Sequence, residues 1–440
     1  MSVVPERKSK QRSGVAYLAA AAALLAVPGL AIAGGGFSSP PAFSLKTTVT
    51  ITGAPLNSFD ISWVDPEIHA YLLADRSNKA VDVIDTVSKT QSKLAAGQFA
   101  GNVPTCPIGN ACNGPDGVLS FNNHGTHEVW AGDGPTPSCS GRQALGTQTT
   151  ACSTVKVIDF ASGTVVHNIP TGGQYRADEL CYDPADHLIQ VANDSDSPPY
   201  INFIPTEGPK AYTVVKQINF DGKPGDGPNA TNGIEQCQWN ARNGKIYLNV
   251  PEVNGNGNDT ADGRTVVIDP RKMEIVNSFD IPVGKCAGPQ GMAIGPDPQI
   301  LLGCNAKGPP SVSGTGTGPQ NAAVLDENSG KLIKVLANQG GNDEVWFNPG
   351  DGLYFLAEGQ NAAFEQLGIV NSSPISVSQD VIVAPGGETG RAHSVAADPI
   401  KNEVYLPIPN NAGSDLCPTA NGCIAIFGTD QTGPWVYRGQ

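Results

Sequence analysis

The hydrophobic and polar positions of this chain follow one phrase that recurs along its length. A polar residue comes first, then a short apolar run, a turn of the Asp-Pro type, and a second apolar run. Residues 393–399 (HSVAADP), followed by residues 403–406 (EVYL), are one example. Short runs rich in β-branched and aromatic residues, bounded by Gly, Pro, Asn and Asp, are typical of strands joined by tight turns. The phrase therefore predicts a β-hairpin.

The phrase occurs seven times, with openings spaced 50 to 62 residues apart. In the first unit it extends to four short strands, at residues 61–66, 69–74, 79–85 and 91–96. A period near 50 with four strands per unit is typical of a β-propeller blade. The helical spacing i, i+3, i+4, i+7 is not sustained beyond the N-terminal segment, which argues against helical repeats and doubly wound α/β folds. The seven openings are Asp60, Asp116, Asp178, Glu235, Gln290, Asp343 and His393.

The seventh unit predicts only three strands of its own, the last at residues 422–427. Residues 44–51 form a strand-like run that has no partner of its own type before it. Pairing this N-terminal strand with the last blade would close the ring and remove the open sheet edges. The sequence thus predicts an all-β fold, a single seven-bladed β-propeller over residues 44–440, closed by its N-terminal strand.

The first 33 residues predict a secretory signal peptide, followed by a linker at residues 34–43. Four basic residues precede an apolar run at 15–26, and Ala31-Ile32-Ala33 fits a cleavage site. An uncleaved N-terminal anchor is the alternative interpretation. No later segment is apolar and long enough to span a membrane. We therefore expect a periplasmic or secreted protein.

The negative net charge of the chain restricts the kinds of molecule that it can bind. The formal net charge is −14, and loss of the signal peptide, with four basic residues and one acidic residue, makes it more negative. Such a chain is a poor fit to nucleic acid or anionic lipid. We expect a small-molecule ligand or substrate, and a protein partner is compatible with the same composition.

Ten cysteines in an exported chain predict disulfide bonds. Short spacings favour local pairs, and elimination then joins Cys181 to Cys237 across neighbouring units. A metal site is the alternative for the short pairs, although the C-x2-C spacing of zinc modules is absent. The predicted local pairs are Cys106–Cys112, Cys139–Cys152, Cys286–Cys304 and Cys417–Cys423.

Phrases such as residues 393–399 and 265–269 (TVVID) resemble the YVTN-repeat seven-bladed propellers of bacterial secreted proteins. More loosely, the chain resembles gluconolactonase-like and streptogramin-lyase-like propellers. The resemblance covers nearly the whole chain after the signal peptide and implies the fold; it also implies that catalysis, as a lactonase or a lyase, is one of its uses. Propellers host many activities, so it does not assign one. The family's Asn after the second strand is replaced by an acid in several units.

The seven openings occupy one equivalent position, where the innermost strand of each blade meets the mouth of the central channel. Five carboxylates, an amide and an imidazole would then share one ring. Crowded carboxylates repel one another, so they require a cation or raised pKa values. We expect a divalent metal ion, either calcium or a transition metal. The expected metal ligands are Asp60, Asp116, Asp178, Glu235, Asp343 and His393.

A metal with open coordination positions would polarise a carbonyl or activate water, with His393 as general base and Glu235 as a second catalytic residue. Two alternatives remain open. The ring is a solvated rim without a metal, or the alignment slips by one residue and places Glu179, Gln236 and Glu344 at the mouth.

Four further groups of residues are candidates with simpler interpretations. Acids after the second strands would form a second ring or act as turn residues: Asp75, Asp133, Glu252 and Glu358. His124 and His127 lie in a hairpin turn and are interpreted as surface residues. His69 and His187 follow Asp-Pro turns and are interpreted as structural. The tryptophans at 63, 130, 239 and 346 are interpreted as packing between blades rather than as a binding box.

No nucleophile elbow, zinc-protease, phosphate-loop or haem-attachment motif occurs in the sequence. The sequence therefore supports two functional hypotheses. The first is a metal-dependent hydrolase or lyase acting on a small organic molecule at the channel mouth. The second is a non-catalytic propeller of the periplasm or cell envelope that binds a ligand or a protein.

Overall fold

The structure is a computed structural model that describes residues 42–305, 320–361, 363–385 and 392–429. None of these residues is helical, so the described part of the chain holds no helix able to cross a membrane. The predicted signal peptide and nearly all of the predicted linker lie outside the described residues. Both stay predictions.

The described residues form seven four-stranded antiparallel sheets, the blades. Blades 1 to 3 contain β2 (Ser62–Asp65), β3 (Ala70–Asp75), β4 (Ala80–Asp85) and β5 (Gln91–Leu94); β6 (Val118–Asn123), β7 (Thr126–Asp133), β8 (Thr154–Asp159) and β9 (Thr164–Pro170); β10 (Leu180–Asp183), β11 (Leu188–Asn193), β12 (Tyr200–Pro205) and β13 (Lys216–Asn219). Blades 4 and 5 contain β14 (Cys237–Asn240), β15 (Lys245–Val250), β16 (Gly263–Asp269) and β17 (Glu274–Ile281); β18 (Pro289–Ile294), β19 (Gln299–Cys304), β20 (Asn321–Asp326) and β21 (Leu332–Ala337). Blade 6 contains β22 (Val345–Asn348), β23 (Leu353–Glu358), β24 (Phe364–Ser372) and β25 (Ile375–Pro385), and blade 7 contains β26 (Ala396–Asp398), β27 (Glu403–Ile408), β28 (Cys423–Thr429) and β1 (Phe43–Thr50).

The blades are arranged as a ring around their innermost strands. Each innermost strand contacts that of the next blade, and β26 of blade 7 contacts β2 of blade 1. The ring is closed by β1, which pairs antiparallel with β28, with Val49 opposite Ile424. This confirms the predicted seven-bladed propeller and its N-terminal closing strand. The pairing satisfies backbone groups that an open edge would leave exposed.

The hydrophobic core lies between neighbouring blades. At the seam between blades 7 and 1, Tyr71 stacks on Tyr405 with ring centroids 5.0 Å apart, and Leu73, Ile424 and Ile426 are fully buried beside them. The apolar runs are buried on both faces of each central strand because a blade is covered on both sides by other blades.

The Asp-Pro turns explain the recurring phrase. Asp65 and Asp183 each accept a hydrogen bond from the backbone N–H two residues later, at 2.9 and 2.8 Å. The turn then closes on a residue in the left-handed region, with φ of 54° at His69 and 49° at His187. Short Asp side chains stabilise such turns by bonding to nearby backbone. Both histidines therefore stand at equivalent hairpin corners.

All ten cysteines form the five predicted disulfides. Four are local, and Cys181–Cys237 joins the inner strands β10 and β14 of blades 3 and 4. A bond that closes a 56-residue separation restricts the unfolded chain more than the six-residue ones do. Five disulfides fit an extracellular or periplasmic location.

Candidate functional site

The residues of the predicted channel-mouth ring lie at equivalent positions in their blades. Four of its members donate their backbone N–H to the second strand of their own blade at 2.8 to 3.1 Å: Asp60 to Ala74, Asp116 to Gly132, Asp178 to Ala192 and Glu235 to Asn249. The carbonyl of the next residue accepts the return bond in blades 1, 3 and 6, at Ile61, Glu179 and Glu344. The hydrogen bonds therefore support the predicted register. Glu179, Gln236 and Glu344 lie one step further along the channel.

Arg76, which the sequence analysis did not consider, lies within this ring. Its side chain is 3% exposed. It donates to Asp116 Oδ1 from Nε at 2.7 Å and to the Phe59 carbonyl at 3.2 Å, and it forms an ion pair with Asp60 Oδ2. One guanidinium group thus bridges the acids of blades 1 and 2.

Arg176 is the second cation that the sequence analysis missed. It pairs with Asp178 Oδ2 at 2.6 Å and with Asp194 Oδ2 at 3.2 Å, and it lies 3.9 Å from Asp116 Oδ1. Its Nη1 is buried and has no hydrogen-bond partner among the described residues. A signal was present in the sequence, because Arg76 directly follows the acidic slot Asp75 and Arg176 precedes Asp178 by two residues.

The two arginines change the chemistry of the carboxylates that they contact. Asp60, Asp116 and Asp178 bring oxygen atoms within 4.8 Å of one another. Burial raises the pKa of Asp116 to about 8, although Arg76 and Arg176 act against this. Burial also opposes ionisation of Asp60, yet Arg76 and His393 hold the pKa of Asp60 below its ordinary value. Two guanidinium groups contact these three acids, and the raised pKa of Asp116 lets it keep a proton near neutral pH, so the cluster needs no metal to balance its charge.

A second group in the ring is better suited to a metal. Ligand atoms of Asp60, Asp343 and His393 lie within 4.8 Å of one another. His393 Nε2 is 3.6 Å from Asp60 Oδ1, and the His393 ring stacks on Phe59 at 4.4 Å and 6°. Burial lowers the pKa of His393, but the hydrogen bond to Asp60 and the charge of Asp343 give it a net rise.

These three residues border a polar cavity of about 260 Å³ at the mouth. Other parts of its wall carry hydrogen-bonding side chains. They are Asn57, Ser58, Arg76, Asn110, Arg176 and Gln360. The lining of this cavity is therefore mostly polar.

Glu235, predicted to act with His393, borders a different cavity. That cavity has a volume of about 620 Å³ and is also lined by Asp194, Asp196 and Gln290. Gln290 Nε2 donates to Glu235 Oε1 at 3.2 Å. Burial and the charges of Asp343 and Asp194 raise the pKa of Glu235 well above its ordinary value. The lining residues therefore do not place Glu235 and His393 in one cavity.

The acids after the second strands bind their own loops. Asp133 accepts the backbone N–H groups of Ala100 and Gly134 at 3.0 Å each and pairs with Lys156 at 3.1 Å. Glu252 accepts the N–H of Gly257 and of Thr260, at 2.5 and 2.9 Å. Their role as turn and loop anchors, one of the two interpretations of these positions, is the one that these contacts favour.

The other end of the inner strands is aromatic. A cavity of about 610 Å³ is lined there by Trp63, Trp239, Trp346, Phe121, Tyr182 and Phe347. Trp63 meets Trp346 edge to face, at 5.3 Å and 78°. The predicted packing role is correct for Trp130, which is fully buried, but incomplete for the other three tryptophans, because each also borders this cavity. We call it the far-end cavity.

One buried acid, Glu179, lines the far-end cavity. Glu179 and Gln236 line it, and Gln236 Nε2 donates to Glu344 Oε2 at 2.7 Å. Burial, then the charge of Glu344 and a hydrogen bond with it, raises the pKa of Glu179 well above its ordinary value. Sharing a proton is the way in which two such carboxyl groups avoid repulsion in a buried place.

Comparisons with known proteins support the fold alone. No family model matches the chain, and no curated protein matches its sequence. Among solved structures, it is similar to a chain of the mitotic checkpoint complex, with 12% identity, a TM-score of 0.56, and coverage of 90% of this chain and 97% of that one. It is also similar to the Pan2 WD40 domain of Neurospora crassa, with 11% identity, a TM-score of 0.53, and coverage of 89% of this chain and 97% of that one. A third similar structure is hydrazine synthase of Kuenenia stuttgartiensis, with 12% identity, a TM-score of 0.56, and coverage of 82% of this chain and 95% of that one.

Proposed function

We propose that this protein is an extracytoplasmic, metal-dependent enzyme that hydrolyses, or eliminates a group from, a small polar organic molecule at the channel mouth. The observation that carries the proposal is the convergence of Asp60, Asp343 and His393 on a 260 Å³ cavity. Gluconolactonase-like and streptogramin-lyase-like propellers, which the sequence resembles, point to the same two reaction classes.

The types of ligand atom restrict which metal ion would bind. Asp60 offers only one oxygen, Oδ1, because its Oδ2 is paired with Arg76. One imidazole nitrogen and two carboxylate oxygens suit manganese, iron or zinc, whereas calcium takes six to eight oxygen ligands. We therefore favour a transition metal. When bound, it would polarise a carbonyl group or lower the pKa of a water molecule.

The rest of the wall supports recognition of a carbonyl compound. Arg176 borders this cavity, and its guanidinium group places a positive charge beside it that would favour an oxyanion developing on the substrate. The side-chain amides of Asn57, Asn110 and Gln360 can orient polar substituents. If His393 is a ligand, it cannot also be the base, so proton transfer would pass to another group of the mouth. Lactones and esters are the substrates to screen first.

The test is elemental analysis of the chain without residues 1–33, before and after chelation, in the wild type and Asp343→Asn. Glu235→Gln is the matched control, because Glu235 belongs to the same ring but borders another cavity. We expect one metal per chain in the wild type and the control, and at least a tenfold weaker site in Asp343→Asn. Turnover of a lactone or ester should fall with the metal. A metal retained equally in all three proteins would contradict the proposed site.

Ligand binding without turnover is the second candidate. It is favoured by Arg76 and Arg176, which compensate three of the five acids in the ring and so remove their need for a cation. This candidate expects no bound metal, unchanged stability after chelation, and saturable binding of a polar ligand that Arg176→Gln weakens. A reproducible turnover would exclude it.

A further inference from the structure

Two histidines and a glutamate from different segments meet on the outer surface at the far end of the channel. His124 lies at the corner of the β6–β7 hairpin, His187 lies just before β11, and Glu207 follows β12. His124 Nε2 is 2.8 Å from Glu207 Oε2, and His187 Nε2 is 3.8 Å from Glu207 Oε1. The imidazole rings are 5.9 Å apart at 22°, and one ligand atom of each residue lies within 4.8 Å of the others.

The backbone beside each residue holds the group in place. Asn123, next to His124, donates from Nδ2 to the Thr206 carbonyl at 3.4 Å. The N–H of Thr206, next to Glu207, donates to the His187 carbonyl at 2.9 Å. A chain of hydrogen bonds therefore connects the blade 2 hairpin with the two blade 3 segments. These hydrogen bonds hold the residues beside His124 and Glu207, and so they keep the three side chains close to one another.

The orientation of His187 adds a second observation. Its Nδ1 is 3.5 Å from the hydroxyl of Tyr182, so Nε2 is the nitrogen that faces Glu207. In metal-binding histidines, one ring nitrogen binds the metal, and a hydrogen bond at the second nitrogen orients the ring. Tyr182 and His187 also border the far-end cavity, so the group stands at its rim.

We propose that His124, His187 and Glu207 bind a divalent transition metal, with zinc as the best match, at the rim of the far-end cavity. Zinc prefers imidazole and carboxylate ligands at about 2.0 to 2.2 Å, which separates ligand atoms by about 3.3 Å in a tetrahedral site. The exposed side chains of His124 and Glu207 can close the present spacing by rotation. Three protein ligands leave the fourth position open, towards solvent or towards a donor group of a molecule in the cavity.

The site would also connect blades 2 and 3 beyond the disulfide that joins blades 3 and 4. Its residues take no part in the channel mouth, so the proposal is independent of the proposed function. Holding three ligands from two blades would lower the freedom of their loops, and a bound metal should raise the melting temperature.

The experiment is a zinc titration by isothermal calorimetry, with the chain lacking residues 1–33 and any polyhistidine tag. It compares the wild type with His124→Ala, His187→Ala and the control His69→Ala. His69 is the matched control because it occupies the same corner in blade 1, with φ of 54° against 49° for His187. His69 and His124 are exposed and His187 is half-buried, and circular dichroism checks the folding of each variant.

We expect His124→Ala and His187→Ala each to lose one zinc equivalent or to bind it at least tenfold more weakly, and His69→Ala to match the wild type. Asp343→Asn, titrated alongside, removes the channel-mouth metal only, so failure of one site is distinguishable from failure of the other. Equal zinc stoichiometry and affinity in the wild type, His124→Ala and His187→Ala would overturn the proposal and leave a surface ion pair.

Discussion

The two ends of the central channel are built from the same seven inner strands, yet charged side chains dominate one end and aromatic side chains dominate the other. At the mouth, acids of several blades surround Arg76, Arg176 and His393. Three to five residues further along the same strands, aromatic side chains line a larger cavity that Glu179 also borders. A strand of this length advances about 10 to 17 Å between the two positions. One repeated scaffold therefore presents charged groups at one end and aromatic groups at the other.

The two ends are also stabilised by different interactions. The mouth depends on long cationic side chains that reach in from loops, so its charges balance only in the folded ring. The far end depends on ring packing, such as the contact of Trp63 with Trp346, and on a pair of buried carboxyl groups. Removing one partner should consequently cost more at the mouth than at the far end.

The largest effect is expected from Arg76→Ala at the mouth. The substitution leaves the buried Asp60 and Asp116 without their shared cation. Breaking such a buried pair costs about 3–5 kcal/mol in the free energy of unfolding. Urea denaturation at neutral pH measures it. Arg271→Ala is the control, because its pair with Asp186 at 3.0 Å is exposed and should contribute little. Equal stability of the two variants would contradict the role given to Arg76.

A pH-dependent effect is expected from Glu179→Gln at the inner part of the far-end cavity. The folded-state pKa of Glu179 is raised, so above pH 4.5 the folded protein retains a proton that the unfolded chain releases. Stability of the wild type should therefore fall as pH rises from 4.5 towards the folded pKa, by at most about 1.4 kcal/mol per pH unit. Gln cannot titrate, so the variant should gain stability relative to the wild type between pH 5 and 8.

Denaturation curves at pH 5, 6, 7 and 8 measure the Glu179 effect. Glu67→Gln provides the control, since Glu67 is an exposed acid at the rim of the same cavity. Parallel pH profiles for the wild type and Glu179→Gln would show that Glu179 is ionised in the folded protein, against the expectation.

The smallest effect is expected for the tryptophan pair of the far end. A double-mutant cycle of Trp63→Ala and Trp346→Ala should give a coupling of about 0.5–1.5 kcal/mol, because edge-to-face rings stabilise each other beyond their buried area. The cycle of Trp63→Ala with Trp239→Ala, which lines the same cavity without a ring contact to Trp63 in the described chain, should be additive within about 0.5 kcal/mol. Additivity in both cycles would remove the special status of the Trp63–Trp346 contact.

Features that depend on neighbouring residues were predictable from the sequence. The period of two along each strand and the period near 50 along the chain placed Asp60, Asp178 and Glu235 at equivalent positions, because neighbouring residues alone determine a hairpin and its register. The disulfides followed from short separations, and the pairing of β1 with β28 followed from the missing fourth strand of the last blade.

The same reasoning failed where partners came from different blades. Nothing in the repeat links Arg76 to Asp116, 40 residues away, since a flexible guanidinium group finds its acid only after the blades have packed. His124 and Glu207, 83 residues apart, meet for the same reason. A long side chain can reach many positions, and a sequence does not state which one it occupies.

The number of blades, the strand that closes the ring, the disulfide pairs and the acids at one position of five of the seven inner strands were all predictable from the amino-acid order alone. These features depend on short-range alternation and on turn residues. Which acids meet an arginine, which remain beside His393, where the tryptophans face and how His124 and His187 converge became visible only in the folded chain. Those outcomes depend on the packing of blades against one another, because it is packing that brings side chains of separate blades within a few ångströms of each other.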